Sequence, residues 1–168
     1  MVSDRRNADF ENAFFGDTAD VIKKYEKGIK THESSDFIMF EGKVAGMACD
    51  KMYYLNDSYK FYMGVYGFTA QYSNAASYIS DYASLKQKVI KKYGECMEGD
   101  DDMQVVNHLA AYCSDNAQAL QLGYVEFWST WETDDAIIEL WLNAPNFNPA
   151  VFLRFTSKTV AGSTADDL

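Results

Sequence analysis

The clearest periodicity in the chain is helical. Ala75, Tyr78, Ile79, Tyr82, Leu85, Val89, Ile90 and Tyr93 recur at spacings of three and four, which places them on one face of an α-helix. The spacing predicts a helix from about Asn74 to Tyr93, capped by Ser73 or Asn74 and ended by Gly94. A shorter helix is predicted near the start. Thr18 offers a hydroxyl to an orphan backbone N–H, Val21, Ile22 and Tyr25 form an apolar stripe, and Gly28 marks a stop. Asp20 in its first turn and Lys23, Lys24 and Lys27 in its last complement the helix dipole.

Elsewhere the pattern alternates, as a half-buried strand requires. Asp36 to Glu41 reads as a short strand, Glu41-Gly42-Lys43 as a tight turn, and Lys43 to Leu55 as the hairpin partner. After a turn at Asn56-Asp57-Ser58, Tyr59 to Phe68 is rich in Tyr, Phe and Val. Gly64 and Gly67 within it predict a bulge or a close backbone approach. Glu95 to Asp102 is an acidic loop, and Gln104 to Leu122 is mixed with some helix. Three strands follow: Tyr124 to Trp131, Ala136 to Asn143 after a turn at Thr133-Asp134-Asp135, and Ala150 to Lys158 after a loop with both prolines. In the middle one Ile138, Leu140 and Leu142 fall on one face, and Ile137, Glu139 and Trp141 on the other.

The order is helix, three strands, helix, a partly helical segment, three strands. It predicts an α+β fold: antiparallel β-meanders with helices packed on one face, in two similar halves. With 168 residues the chain fits one compact domain, read as half-repeats 10–72 and 73–158 with a flexible tail over 159–168.

Charge changes this picture most. Residues 95–168 carry thirteen acids and only two bases, Arg154 and Lys158, for a net of −11, while residues 1–94 carry a net of +1. Such a field attracts basic partners and opposes direct contact with nucleic acid or an anionic membrane. The lysine sets Lys23, Lys24, Lys27, Lys30 and Lys86, Lys88, Lys91, Lys92 read as solvated helix sides. A further reading sets them against the acidic half of a second copy, a homodimer. Aromatics make up 15% of the residues, with twelve Tyr and eleven Phe, which suits a sheet face between core and water. No transmembrane stretch is present, and the start Met1 to Asn7 has no apolar run, so a cytoplasmic protein is expected. The alternative is an exported form whose leader has been removed.

Phe14-Phe15-Gly16-Asp17-Thr18-Ala19-Asp20-Val21 with Tyr25-Glu26 resembles the opening of a class of small bacterial α+β proteins of unassigned function, in which an aromatic-Gly turn caps the first helix. The resemblance continues through Gly46, Tyr59 to Phe68, Tyr78-Ile79, Lys91-Lys92-Tyr93-Gly94, Trp128, Trp131 and Ile137 to Leu142, about two-thirds of the chain. The doubled layout is also similar to the β-lactamase inhibitor proteins and the small outer-membrane assembly lipoproteins. That resemblance implies a binder and not a catalyst; it carries over no interface residue.

Candidate chemistry is sparse. His32, His108, Cys49, Cys96 and Cys113 lack zinc-ligand spacing, and a Cys96–His108–Cys113 cluster would be fortuitous. A Cys96–Cys113 bridge would require export. Glu98-Gly99-Asp100-Asp101-Asp102 lacks the alternating ligands of a calcium loop and reads as solvated. No nucleophile motif and no phosphate-binding glycine loop occurs. No catalytic residue, metal or cofactor is therefore expected. The acidic half with interleaved aromatics is the candidate binding surface: Glu126, Trp128, Glu132, Asp134, Asp135, Glu139 and Trp141, together with Asp100, Asp101 and Asp102. The expected function is a non-enzymatic protein-binding module, an inhibitor whose acidic aromatic face meets a basic, nucleic-acid-binding protein. A nucleic-acid mimic that occupies a nuclease groove, as in phage anti-defence, is its concrete form. The alternative is a structural or ligand-binding protein of the bacterial envelope, and an enzyme with an unrecognised site involving His108 ranks last.

Overall fold

The computed structural model describes residues 5, 7–97 and 103–163. Thirteen segments alternate along them. Helix α1 (Ala19–Tyr25) precedes strands β1 (Ile29–Glu33), β2 (Phe37–Val44), β3 (Met47–Leu55) and β4 (Phe61–Phe68). Helix α2 (Ala75–Tyr93) leads to β5 (Met103–Val105), a 3₁₀ turn (His108–Tyr112) and helix α3 (Asn116–Gln121). Strands β6 (Val125–Glu132) and β7 (Ala136–Asn143), a second 3₁₀ turn (Pro145–Phe147) and β8 (Ala150–Ser157) complete the order.

All eight strands form one antiparallel sheet in the order β1-β2-β3-β4-β8-β7-β6-β5. The fold is α+β, as the alternation predicted. The first four strands run inward from β1 and the last four inward from β5, meeting at the β4–β8 pair.

Several boundaries follow their local chemistry. The α2 helix starts where the Asn74 side chain accepts from the Ala76 N–H and ends at Gly94, whose φ of 92° suits glycine. The β2–β3 hairpin turns at Ala45-Gly46, both with positive φ, as a two-residue turn matched to strand twist requires. The expected turn at Glu41-Gly42-Lys43 is therefore corrected: these residues continue β2, paired with Asp50, Cys49 and Ala48. The predicted stop at Gly28 is also corrected, since α1 ends at Glu26, whose N–H bonds to the Ile22 carbonyl. Thr18 precedes α1 without a side-chain capping bond. Lys30 belongs to β1 and not to the helix.

The core lies on one side of the sheet. A row across it runs Ile38, Tyr53, Gly64, Phe155, Ile138, Trp131, each opposite the next. Gly64 gives the close approach expected of it. Phe10, from the chain ahead of α1, lies on Gly64 and meets the rings of Tyr53, Phe61, Tyr66 and Phe155 at centroid distances of 5.2, 6.0, 4.4 and 5.8 Å. Helix α2 packs on β6, β7 and β8. Its buried Tyr82 shares a hydrogen bond of 2.6 Å with Ser129 of β6, and Trp131 Nε1 donates to the Gly94 carbonyl. Among the described residues no helix is long and apolar enough to cross a membrane.

Candidate binding face

The second face of the sheet carries the residues of opposite parity. In β6, β7 and β8 these are Glu126, Trp128, Thr130 and Glu132; Ile137, Glu139 and Trp141; Phe152, Arg154 and Thr156. Register brings them together. Trp128 stands opposite Trp141, and Trp141 opposite Phe152. In the next row Thr130 stands opposite Glu139, and Glu139 opposite Arg154. Cross-strand pairs of this kind hold side chains within contact distance.

Four sequence-predicted residues, Glu126, Trp128, Glu139 and Trp141, line one shallow pocket of about 230 Å³, and Arg154 completes it. Arg154 had no assigned role in the sequence. It organises one side of the pocket: its Nε and Nη2 donate to Glu139 Oε1 at 3.1 and 2.7 Å, and its guanidinium lies 5.0 Å from the Trp141 ring centre. The Trp141 and Phe152 rings lie 5.4 Å apart at 37°. Trp128 is left 42% exposed, enough area to contact another molecule. Beyond the Arg154–Glu139 pair, a wider depression of about 470 Å³ includes Tyr62, Met63, Ile137 and Thr156.

The other expected site residues are distributed differently. Glu132 shares the face, but Lys158 Nζ holds its carboxylate at 2.6 Å. Asp134 and Asp135 lie exposed in the β6–β7 turn, beside the pocket strands and outside the pocket. Asp100, Asp101 and Asp102 lie outside the described residues. Trp131 points to the core and takes no part in the face. Cys49, Cys96 and Cys113 are free thiols, and burial pushes the Cys49 thiol up to about 11. Among the described residues no group of three or more His, Cys, Asp and Glu is arranged to hold a metal ion.

Sequence reasoning missed one charged cluster on the core side. Lys51 of β3 is buried, with its Nζ 3.5 Å from Glu11 Oε2 and 3.4 Å from Glu26 Oε1. Tyr53 donates to Glu26 Oε1 at 2.7 Å, and the Gly28 N–H donates to Glu26 Oε2. Burial, and then the adjacent Glu26 carboxylate, raise the Tyr53 phenol far above its ordinary value; burial and Glu11 do the same to Tyr66. The Lys51 stem crosses Gly42, where a Cβ would come within 2.7 Å of Cε. These contacts tie the segment before α1 and the end of α1 to the sheet. Glu11, Glu26 and Lys51 are far apart in sequence and look like surface charges; only Gly42, over which the Lys51 stem lies from a diagonal position on the neighbouring strand, hints otherwise.

No protein-family model, no curated protein and no solved structure matches this chain.

Proposed function

We propose that this protein is a non-enzymatic binding module whose outer sheet face, acidic and aromatic, engages a basic protein. The carrying observation is the convergence of Trp128, Trp141, Glu126 and Glu139 on one pocket while Trp128 stays exposed. Aromatic side chains in a pocket supply contact area at low entropic cost, and surrounding carboxylates steer a basic partner and speed its arrival. The net charge of −11 over residues 95–168 extends that attraction beyond the pocket. A basic nucleic-acid-binding protein, such as a nuclease whose groove accepts a charge mimic, has the complementary surface.

The proposal includes a doubled architecture, two similar halves with their helices on one face and the other face left for the partner. In its support, the strand order is 1-2-3-4 followed by 8-7-6-5, so the last strand of each run meets at the centre. The helix-side contacts, Tyr82 of α2 on Ser129 and Trp131 on the Gly94 carbonyl, involve sheet residues on the face opposite Trp128.

The test is capture on immobilised protein at low salt, elution with a salt gradient, and the same measurement on the Asp134→Lys, Asp135→Lys double variant. Both acids are exposed beside the pocket strands. Retention of a discrete basic protein, weakened by the reversal and by salt, is the expected result. Binding indifferent to both would overturn the proposal.

A further inference from the structure

The outer face repeats one arrangement twice and fills it once. In the filled instance an aromatic ring, Trp141, and a carboxylate, Glu139, hold the Arg154 guanidinium between them. In the second instance the ring is Trp128 and the carboxylate Glu126, two residues away on the same strand and therefore on the same face. Glu126 has no ion-pair partner among the described residues, and both line the pocket. What the second instance lacks is the cation.

We propose that the pocket formed by Trp128, Trp141 and Glu126 seats the guanidinium of an arginine from a basic protein segment. This rests on the binding-face reading above and names its anchor. The size, the lining and the charge of the pocket favour arginine. The cavity, about 230 Å³, is smaller than the roughly 300–1,000 Å³ that hold drug-sized ligands and suits a single side chain. Its walls are two indole rings, one 42% exposed, and a planar guanidinium stacks on such rings while still offering N–H donors to a carboxylate. Lysine's compact, strongly hydrated ammonium gains less from both. The Arg154 charge does not bar a second cation, because Glu139 holds it at 2.7 Å, and the sequence from residue 95 onward is strongly negative. The depression beyond the Arg154–Glu139 pair gives an extended segment room to continue across the sheet.

The experiment uses the full chain and two dye-labelled, end-blocked peptides, pentaarginine and pentalysine, titrated by fluorescence anisotropy at low salt. The arginine peptide is expected to bind about 5-fold or more tightly than the lysine peptide. Trp128→Ala should weaken it by about 5–10-fold, Trp128→Phe by less, and Glu126→Gln by about 5-fold. Both peptides bound alike, with affinities unchanged in Glu126→Gln and in either Trp128 variant, would overturn the arginine pocket and leave the acidic binding face standing. No binding of either peptide at low salt would overturn both. Glu126→Gln preserves size and Trp128→Phe keeps an aromatic ring at positions open to solvent, so their result does not depend on whether Trp128→Ala folds.

Discussion

Phe10 occupies the space above Gly64: a Cβ placed on Gly64 would meet Phe10 Cγ at 2.5 Å. That separation is far inside van der Waals contact, so a glycine in the middle of β4 is what admits the ring. The ring in turn joins Tyr53, Phe61, Tyr66 and Phe155 into one aromatic cluster that pins residues ahead of α1 to the sheet centre. Gly64→Ala should destabilise by about 1–3 kcal/mol through overpacking. Phe10→Ala should cost about 3–5 kcal/mol through lost burial and the cavity left behind. The double variant should be less destabilised than the sum, because the added methyl then enters vacated space. Urea midpoints of the four proteins measure this, and strict additivity would show that the ring and the glycine act independently.

Lys51 and its two carboxylates make a second long-range clamp, with Glu26 only 2% exposed at its side chain. Lys51→Met should destabilise by about 3–5 kcal/mol, since it leaves the buried Glu26 carboxylate, and the partly buried Glu11, without their counter-ion. Adding Glu26→Gln to Lys51→Met should recover part of that loss, because a neutral amide costs less to bury than a carboxylate. Chemical denaturation checks the order; a double variant less stable than Lys51→Met would place the cost in packing of the lysine stem instead.

What could be read from the sequence depended on whether a residue's environment was set by its neighbours in the chain. In β7 the alternation of Ile138, Leu140, Leu142 with Ile137, Glu139, Trp141 gave both faces correctly, because a strand with one face in the core must alternate. The α2 helix was legible for the same reason, down to its Asn74 cap and Gly94 end. Strand β1 was not: all five of its residues are exposed, so no apolar period marks them, and pairing with β2 makes it a strand. Strand β5, three residues long, is held by β6 alone. Gly42 reads as a turn from the sequence because its true constraint, the Lys51 stem, lies nine positions away. At the candidate site the aromatics and acids were found by composition, but Arg154 was found only through cross-strand register.

The raised phenols fix an alkaline limit. Tyr53 and Tyr66 hold their protons in the folded state well above the pH at which free tyrosine ionises. A raised folded pKa means that the unfolded chain loses the proton first. The stabilisation is therefore present in full below the ordinary phenol pKa of about 10 and is lost progressively above it. The urea midpoint should be level with respect to these groups near pH 8 and fall as pH rises past about 10. Tyr53→Phe should lower the midpoint near pH 8 by removing the hydrogen bond to Glu26, yet fall less steeply above pH 10. A slope unchanged by Tyr53→Phe would exclude this phenol as its source.

Arg154 is the internal cation of the outer face, so its removal tests whether that face is built around cations. Arg154→Gln frees Glu139, whose side chain is 12% exposed, and uncovers the Trp141 ring. The loss of a partly solvated charged hydrogen bond should cost about 1 kcal/mol of stability. The same change vacates a second ring-and-carboxylate seat and adds one net negative charge to the face. Arginine peptides should therefore bind several-fold more tightly to Arg154→Gln than to the unaltered protein at low salt, with a steeper salt dependence. Arg154→Lys keeps the charge but not the planar fork and should lie between the two. Weaker peptide binding by Arg154→Gln would mean that Arg154 itself touches the partner, through a carboxylate or carbonyl on that partner.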